Sequence, residues 1–445
     1  MCIMTGSLGK RFHLTSFQLI FFSFFVLIAV GTFLLMLPVS SADGTATPFL
    51  DCLFTATSAS CVTGLIVHDT ATYWSTFGHI VILTLIQIGG LGVITLSIIA
   101  VVISGKKISL YQRSVMQDSI SAGHPGGIVR FTRLIIKSTL IFEGGGFLLL
   151  CFSFIPKFGV VKGICYSLFH AVSAFCNAGF DLMGHYSSLT SYMGDPYVNL
   201  VIMALIVFGG LSFYTWRDVF KYRQHVSRYS MQSKVILFTS AFLILVPAVI
   251  FFFSEYAGLP MKERVLASFF QSVTTRTAGF NTTDQAALSE PGLLLTVILM
   301  MIGGSPGSTA GGMKTTTAAV LIIASLAVFR RKEDSTVFKR RVENRVVRDA
   351  LAILFMYFFL LLITSVIVCK SEGLPLLTCM YECASAIGTV GLTMGVTPSL
   401  HTLSRIILIG LMFFGRVGCL TLIYAANLRY HVETAKLPSE NINVG

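Results

Sequence analysis

The chain has 445 residues, of which 54% are hydrophobic and only 12% charged, against about 25% charged in a soluble domain. A mean hydropathy of +0.80 agrees, so a soluble globular protein is excluded in favour of a polytopic membrane protein. The net charge of +12 does not point to nucleic acid, because the basic residues recur in connectors between apolar stretches.

In chain order, the first apolar run is Phe17–Leu37. Its length of about 21 residues crosses a hydrocarbon core of about 30 Å at roughly 1.5 Å per residue. It exceeds the apolar core of a signal peptide, so it reads as a retained span. Outer helices are predicted near 17–37, 134–155, 234–254 and 349–369, and inner helices near 77–103, 197–216, 291–329 and 404–428. Between each pair lies a moderately apolar segment too short to span: Phe49–Ala59, Ile164–Phe175, Val265–Val273 and Leu376–Ile387. The predicted fold is an all-α polytopic membrane protein. It consists of four outer helix–pore loop–inner helix repeats with pseudo-fourfold symmetry and eight full spans. Residues 1–445 form one membrane domain, with repeats near 15–105, 130–220, 232–330 and 348–430 and a short tail at 431–445.

Most Lys and Arg residues fall on one side of these spans. They are Lys10, Arg11, Lys106, Lys107, Arg113, Arg130, Arg133 and Lys137, the connector from Arg217 to Lys234, the connector Arg330–Arg348, and Arg429 and Lys436. By the positive-inside rule that side and both termini are cytoplasmic. Acidic residues outnumber basic ones on the opposite side, which raises cation concentration at a mouth. The ten cysteines include no CxxC pair. Cys61 and Cys176 hold equivalent positions in two repeats and read as core residues rather than disulfide or metal partners.

The repeat itself is visible in four segments: FTATSASCVTGL (Phe54–Leu65), FHAVSAFCNAGF (Phe169–Phe180), FFQSVTTRTAGF (Phe269–Phe280) and YECASAIGTVGL (Tyr381–Leu392). Each has a glycine (Gly64, Gly179, Gly279, Gly391), an aromatic ten residues before it and Leu or Phe just after. A second mark follows at Gly89-Gly90, Gly209-Gly210, Gly303-Gly304 and Gly415-Arg416. Four units of one polarity in a single chain suit a pore with pseudo-fourfold symmetry. A cation stripped of water needs replacement oxygens, and inward-facing backbone carbonyls supply them. Glycine allows the positive φ and close backbone approach that such turns need. The candidate filter is therefore Val62-Thr63-Gly64, Asn177-Ala178-Gly179, Thr277-Ala278-Gly279 and Thr389-Val390-Gly391. Half-helices ahead of the turns would aim their partly negative C-terminal ends at the cation.

The third inner helix is interrupted by Gly303-Gly304-Ser305-Pro306-Gly307-Ser308-Thr309-Ala310-Gly311-Gly312. Clustered Gly and Pro break helices, so an intramembrane loop able to obstruct a pore is expected here. Three cations lie at membrane depth, where charge is costly and marks function. Arg416 stands where the other repeats have a second glycine. It is read as a gate residue bonding the carbonyls of the 303–312 loop, the rival being a buried pair with Glu143. Lys314 closes the loop and is a second gate candidate. Arg276 precedes Gly279 by three and is expected to brace that turn from behind, with Glu382 as candidate partner. Glu143, beside Gly144-Gly145-Gly146, is read as a hydrogen-bonded structural acid ahead of a proton-linked one. The Gly-Gly-Met-Lys-Thr run is not a phosphate loop, since Met313 breaks the spacing and no strand precedes it.

On these glycine turns, and on the Gly-Ser-Pro-Gly-Ser-Thr-Ala-Gly-Gly-Met-Lys-Thr run at 304–315, the chain resembles the membrane subunits of Ktr potassium uptake systems in the Trk/Ktr/HKT superfamily, over residues 15–430. The resemblance implies potassium as substrate and passive flow driven by the membrane potential. It also implies selectivity for potassium from glycine rather than serine at Gly64. It further implies a homodimer docked on a cytosolic ring of regulator-of-conductance subunits of KtrA or KtrC type. Any nucleotide would bind that ring, since this chain has no nucleotide fold and no cofactor of its own. Arg330–Arg348 is a candidate docking surface, with simple topology and lipid headgroup contact as the alternative. Sodium dependence stays open, as does the rival mechanism of a sodium- or proton-coupled carrier with alternating access. No catalytic constellation emerges, so an enzyme is not expected.

Overall fold

The chain folds as a series of apolar helices whose order repeats four times, as seen in a computed structural model that describes residues 15–93, 128–418 and 421. Each pass has a long helix, a shorter helix, an irregular turn and a further apolar helix. The first comprises α1 (Ser16–Met36), α2 (Phe49–Ser60) and α3 (Thr76–Leu91). The second comprises α4 (Ile128–Phe158), α5 (Val160–Phe175), α6 (Pro196–Gly210) and α7 (Phe213–Tyr222). The third has α8 (Met231–Ser254), α9 (Met261–Thr274), α10 (Glu290–Met301) and α11 (Thr315–Phe329). The fourth has α12 (Asn344–Glu372), α13 (Leu376–Ile387) and α14 (Thr402–Val417). A two-residue-per-strand hairpin, β1 (Thr336–Val337) with β2 (Arg340–Arg341), sits between α11 and α12. Lys10, Arg11, Lys106, Lys107, Arg113, Arg429, Lys436, the tail 431–445 and the far part of the first inner helix lie outside the described residues.

Local sequence explains where the helices start and stop. Thr15 and Gln18 form a reciprocal capping box at the start of α1, and Pro38 follows its end, where a helix cannot easily continue. Asp195 accepts from the amides of Tyr197 and Val198 ahead of Pro196 at the first position of α6, the position where a missing N–H costs nothing. α12 ends on Gly373 in the left-handed region, at φ +68, a common helix stop.

Among the described residues four helices are long and apolar enough to cross a membrane: α1, α4, α8 and α12. Between 22% and 33% of their most apolar windows is buried. Phe25, Phe152, Phe253 and Phe355 are exposed on them. A solvated protein could not tolerate such a belt, so these faces meet lipid. The chain is thus a membrane protein.

The inner helices depart from the expected spans in every pass: the expected 77–103 helix stops at Leu91 and the expected 404–428 helix at Val417, each on a glycine with positive φ (Gly92 +85, Gly418 +89), and the other two are broken as well. The expected 197–216 helix stops at Gly210, and α7 leaves at 99° to α6. The break is stabilised by Ser212, whose hydroxyl accepts from the Tyr214 amide and caps α7. The expected 291–329 helix is divided between α10 and α11, as its Gly and Pro content predicts. Pro247 interrupts the ladder of α8, and Ser272 from α9 donates to the Leu243 carbonyl, which that proline cannot reach, at 3.2 Å, and to Ile244 at 2.7 Å.

The first and last passes are joined by an ion pair. Arg405 at the start of α14 donates to Asp51 in α2 at 2.7 Å, and His68 meets the other oxygen of Asp51 at 2.9 Å. The same guanidinium donates to the carbonyls of Leu400 and Pro398. Arg405→Gln is expected to lower the stability of the detergent-solubilised protein by about 1.5–3 kcal/mol, the usual worth of a hydrogen bond to a charged group. Thermal unfolding beside Arg405→Lys checks this, and equal unfolding temperatures for Arg405→Gln and the parent chain would refute it.

Candidate functional site: a ring of glycine turns

The four candidate glycines meet. A Cβ built on Gly64 would lie 3.0 Å from the Cα of Gly179, one on Gly179 2.9 Å from Gly279, one on Gly279 3.3 Å from Gly391, and one on Gly391 3.0 Å from Gly64. The neighbours therefore run 64, 179, 279, 391 and back to 64, a closed ring of backbone. No side chain fits at these positions. The nearest oxygens are the carbonyls of Ala178, Ala278, Val390 and Thr63, each belonging to the residue before the next glycine in the ring. Four carbonyls, one per turn, thus line the contact between neighbours.

Each turn leaves its short helix through the same sequence of conformations. The glycines have φ of +94, +69, +81 and +94, as their lack of a Cβ allows. Two residues earlier, Val62, Asn177, Thr277 and Thr389 also have positive φ, at +58, +57, +70 and +51. For a β-branched residue this region costs on the order of 1–3 kcal/mol, and it persists only where the surroundings over-determine it. Buried hydroxyls from the short helices do so. Ser58 and Ser385 accept from the amides of Gly64 and Gly391 at 3.1 and 3.0 Å. Ser173 donates to the Phe180 carbonyl at 2.7 Å, and Thr274 donates to that of Phe280. These hydroxyls were not among the candidates from sequence, although Ser58, Ser173 and Ser385 each stand six residues before their glycine. The Asn177 amide and the Thr277 hydroxyl, 3.3 Å apart, join two neighbouring turns directly.

The second glycine mark has a separate use. A Cβ on Gly89 would collide with the Ser60 carbonyl, on Gly209 with that of Phe175, and on Gly415 with that of Ile387. These carbonyls end α2, α5 and α13, four residues before the ring glycines. The marks therefore let the inner helices press on the ends of the short helices. Gly303 instead abuts the Gly311 carbonyl inside the loop.

The 303–312 segment is an ordered strap between α10 and α11. Its neighbours come from the second and fourth passes. The amides of Ser305 and Thr309 donate to the carbonyls of Gly210 and Gly209 at 3.0 and 3.2 Å. The Thr309 hydroxyl donates to Phe175 and Gly209, both at 2.9 Å. The Gly312 amide donates to Gly415 at 3.2 Å, and Gly311 abuts the Thr389 side chain of the fourth turn. Gly304 is buried against Ala310, while Pro306 and Gly307 are half-buried. The strap thus sits beside the ring, tied to α6 and α14.

Arg416 reaches the strap. Its guanidinium donates to the Thr309 carbonyl and, on the far side, to Gly89 and to Gly90, the last at 2.9 Å. It is not paired with Glu143, which accepts from Gln87 at 3.2 Å and lies beside Cys176. Lys314 donates back to Ala310 and Gly311 at 2.8 and 3.3 Å, so it closes the strap on itself. Arg276 does not meet Glu382. It donates to Ser240 at 3.2 Å, while Glu382 is occupied by Thr393, Thr397 and the Met394 amide, at 2.6, 2.8 and 2.9 Å. Those donors come from the loop after the fourth turn, so Glu382 fastens that loop instead. The eight described cysteines are free, and no metal-ligand cluster exists among the described residues.

Backbone carbonyls brought together inside a membrane-embedded bundle are an arrangement suited to ion translocation. Residues 10–431 match the family model described as TrkH, cation transport protein. The chain is 40% identical to the potassium/sodium uptake protein NtpJ of Enterococcus hirae, covering 100% of both chains. It is 37% identical to the Ktr system potassium uptake protein B of Bacillus subtilis, covering 97% of this chain and 98% of that one. With its Vibrio alginolyticus counterpart the identity is 35%, over 96% and 94%. The crystal structure of the potassium transporter TrkH from Vibrio parahaemolyticus superposes with a TM-score of 0.76 at 18% identity, over 94% of this chain and 86% of that one, a likeness of fold. The chain belongs to the TrkH cation transport family, and is a transporter rather than an enzyme.

Gly209→Ala is expected to destabilise by about 1–3 kcal/mol, the cost of forcing a methyl group into a filled space. Gly145→Ala, where nothing lies within 4 Å, should be neutral or slightly stabilising in its helix. Thermal unfolding of the two proteins in one detergent decides it; similar losses for both would mean that the close approach is not what Gly209 supplies.

Proposed function

We propose that the chain is a potassium-selective uptake pathway of a bacterial plasma membrane, with the four glycine turns as filter and the 303–312 strap as gate. The observation that carries this reading is the closed order of Gly64, Gly179, Gly279 and Gly391, with one carbonyl per turn at each junction. Carbonyls replace the water that a potassium ion sheds. The four short helices end at the turns, so their partly negative C-termini add to the attraction for a cation. Four passes around one axis give the pseudo-fourfold arrangement. α3, α6, α10 with α11, and α14 complete eight crossings, with both termini cytoplasmic. Relatives named as potassium uptake proteins, two of them components of Ktr systems, support the ion assigned.

Gating follows from the strap's attachments. Arg416 places a positive charge beside the ion path and holds Thr309 by its carbonyl; Lys314 stiffens the strap from its other end. Release of Thr309 from Arg416 and from α6 would let the strap move aside. A homodimer docked on a cytosolic nucleotide-binding ring would supply the control. The basic hairpin between Arg330 and Arg348 offers an exposed surface for that contact, and the nucleotide stays on the ring. The name of the Enterococcus relative makes sodium the ion to run beside potassium.

Gly64→Ser would bring a side chain against the Ala178 carbonyl, at 2.5 Å for the Cβ alone. It should reduce potassium-over-sodium discrimination by about tenfold, or ~1.4 kcal/mol. Competition of sodium with rubidium uptake in proteoliposomes reads this, and unchanged selectivity would remove the filter assignment. Deleting part of 305–311, or Arg416→Gln, should raise flux several-fold; unaltered transport would remove the gate. Growth of uptake-deficient cells at low potassium, with and without a cytosolic regulatory subunit, tests the whole. Single-channel currents would exclude the alternating-access carrier, and uptake in fixed stoichiometry with sodium or protons would establish it.

A further inference from the structure

The 99° turn after α6 leaves α7 running across the end of the membrane-embedded bundle. Its aromatic residues point to the apolar side. Tyr214 stacks on Phe131 with ring centroids 4.2 Å apart, Trp216 approaches Phe142 at 4.6 Å, and Phe220 is 48% exposed beside Trp216. A helix with aromatics on one side and cations at its end is suited to the plane of a membrane surface. At that end a cavity of about 400 Å³ opens, lined by Lys221, Tyr222, Arg223, Gln224, His225 and Arg228.

The walls of this cavity are held in shape. Arg223 ends α7 with a positive φ of +48, and its carbonyl accepts from the Tyr229 hydroxyl. Lys234 donates to the Ser227 carbonyl at 2.8 Å, closing the loop from α8. The nearby carboxylate faces away. Asp218 is surrounded by the Ser230 amide and the hydroxyls of Ser230 and Ser233, at 3.1, 2.8 and 2.8 Å. Burial alone would raise its pKa, but these donors and Arg217 hold it below the usual value. Among the described residues no ion pair reaches Lys221, Arg223 or Arg228. Among the described residues that line it the cavity has three such cations and no carboxylate.

We propose that this cavity binds the phosphate of an anionic phospholipid headgroup, gripped by Lys221, Arg223 and Arg228, while the exposed Phe220 and Val226 rest among the acyl chains. Guanidinium forks match phosphate oxygens two at a time, and a lysine adds a point charge. A lipid is favoured over a free anion because the exposed Phe220 and Val226 flank the basic residues, as an amphiphile with a charged head requires. The helix that carries the site touches the strap at its other end: the Phe213 amide that begins α7 donates to the Gly307 carbonyl at 2.9 Å. An occupied headgroup site would therefore steady the strap through α7. By the topology proposed above this lipid lies in the cytoplasmic leaflet, and the site itself does not depend on that orientation.

Native mass spectrometry of the full chain, purified in detergent and offered equal phosphatidylglycerol and phosphatidylcholine, tests this without measuring ion flux, so its failure is separable from that of the transport reading. The parent chain should retain phosphatidylglycerol preferentially. Lys221→Gln with Arg228→Gln should lose that preference by about tenfold, whereas Lys221→Arg with Arg228→Lys should keep it. Arg223→Gln alone serves as a second, milder variant and should lose part of it. Equal retention by the parent and all neutralised variants overturns the site. Displacement by millimolar inorganic phosphate as effective as by short-chain phosphatidylglycerol would mark a free-anion site and overturn the lipid. Loss of binding to a cytosolic ring with lipid preference intact would overturn it in favour of a protein partner.

Discussion

The constraint on which everything else rests is that four turns must bring backbone to within contact of backbone at one place. Each ring glycine faces the carbonyl of the neighbouring turn with no room for a side chain. Backbone polar groups crowded together at membrane depth are costly unless the surrounding protein holds them. The protein answers by burying hydroxyls behind the turns and by anchoring strained left-handed residues with them. What looks like an unusually polar interior, with Ser58, Ser173, Thr274 and Ser385 all enclosed, is the framework for that arrangement. Phe25, Phe152, Phe253 and Phe355 are turned outward onto lipid, while Phe54, Phe175 and Phe280 fill the interior beside the hydroxyls.

The same constraint explains the inner helices. They must reach the ends of the short helices, and only glycine permits the approach at 89, 209 and 415. In the third pass the equivalent position belongs to the strap, and symmetry is abandoned there. Arg416 replaces a small residue in the fourth pass and spans from the strap to α3. One departure thus holds the other. A cation bonded to three backbone carbonyls needs no carboxylate partner, which is why Glu143 is left to Gln87 and Cys176.

Much of this was legible in the chain because glycine and proline act through the backbone, where one residue type has one meaning. The ring positions, the broken helix at 303–312 and the long apolar helices all belong to that kind. Other features were not legible. Val62, Thr277 and Thr389 are residues that ordinarily avoid positive φ, and nothing in their identity announces that they adopt it here. The break after Gly210 depends on Ser212 capping a new helix, a role open to any serine. The pairing of Arg276 with Glu382, expected from opposite charge, failed because Thr393 and Thr397 arrive from a loop whose path charge does not dictate. Side-chain partners at long range depend on the whole arrangement, and a single sequence does not carry them.

The contact between Arg405 and Asp51 joins residues 354 positions apart, and no peptide linker ties the first pass to the fourth. The ring is therefore closed only when the fourth turn, at Gly391, has been made. At roughly 5–20 residues per second, Thr63 waits on the order of tens of seconds for Gly391. During that interval the membrane holds one, then two, then three turns out of four, an arc instead of a circle. A chain that stops short of Gly391 has nothing to set between Gly279 and Gly64, so its three turns stay open on one side.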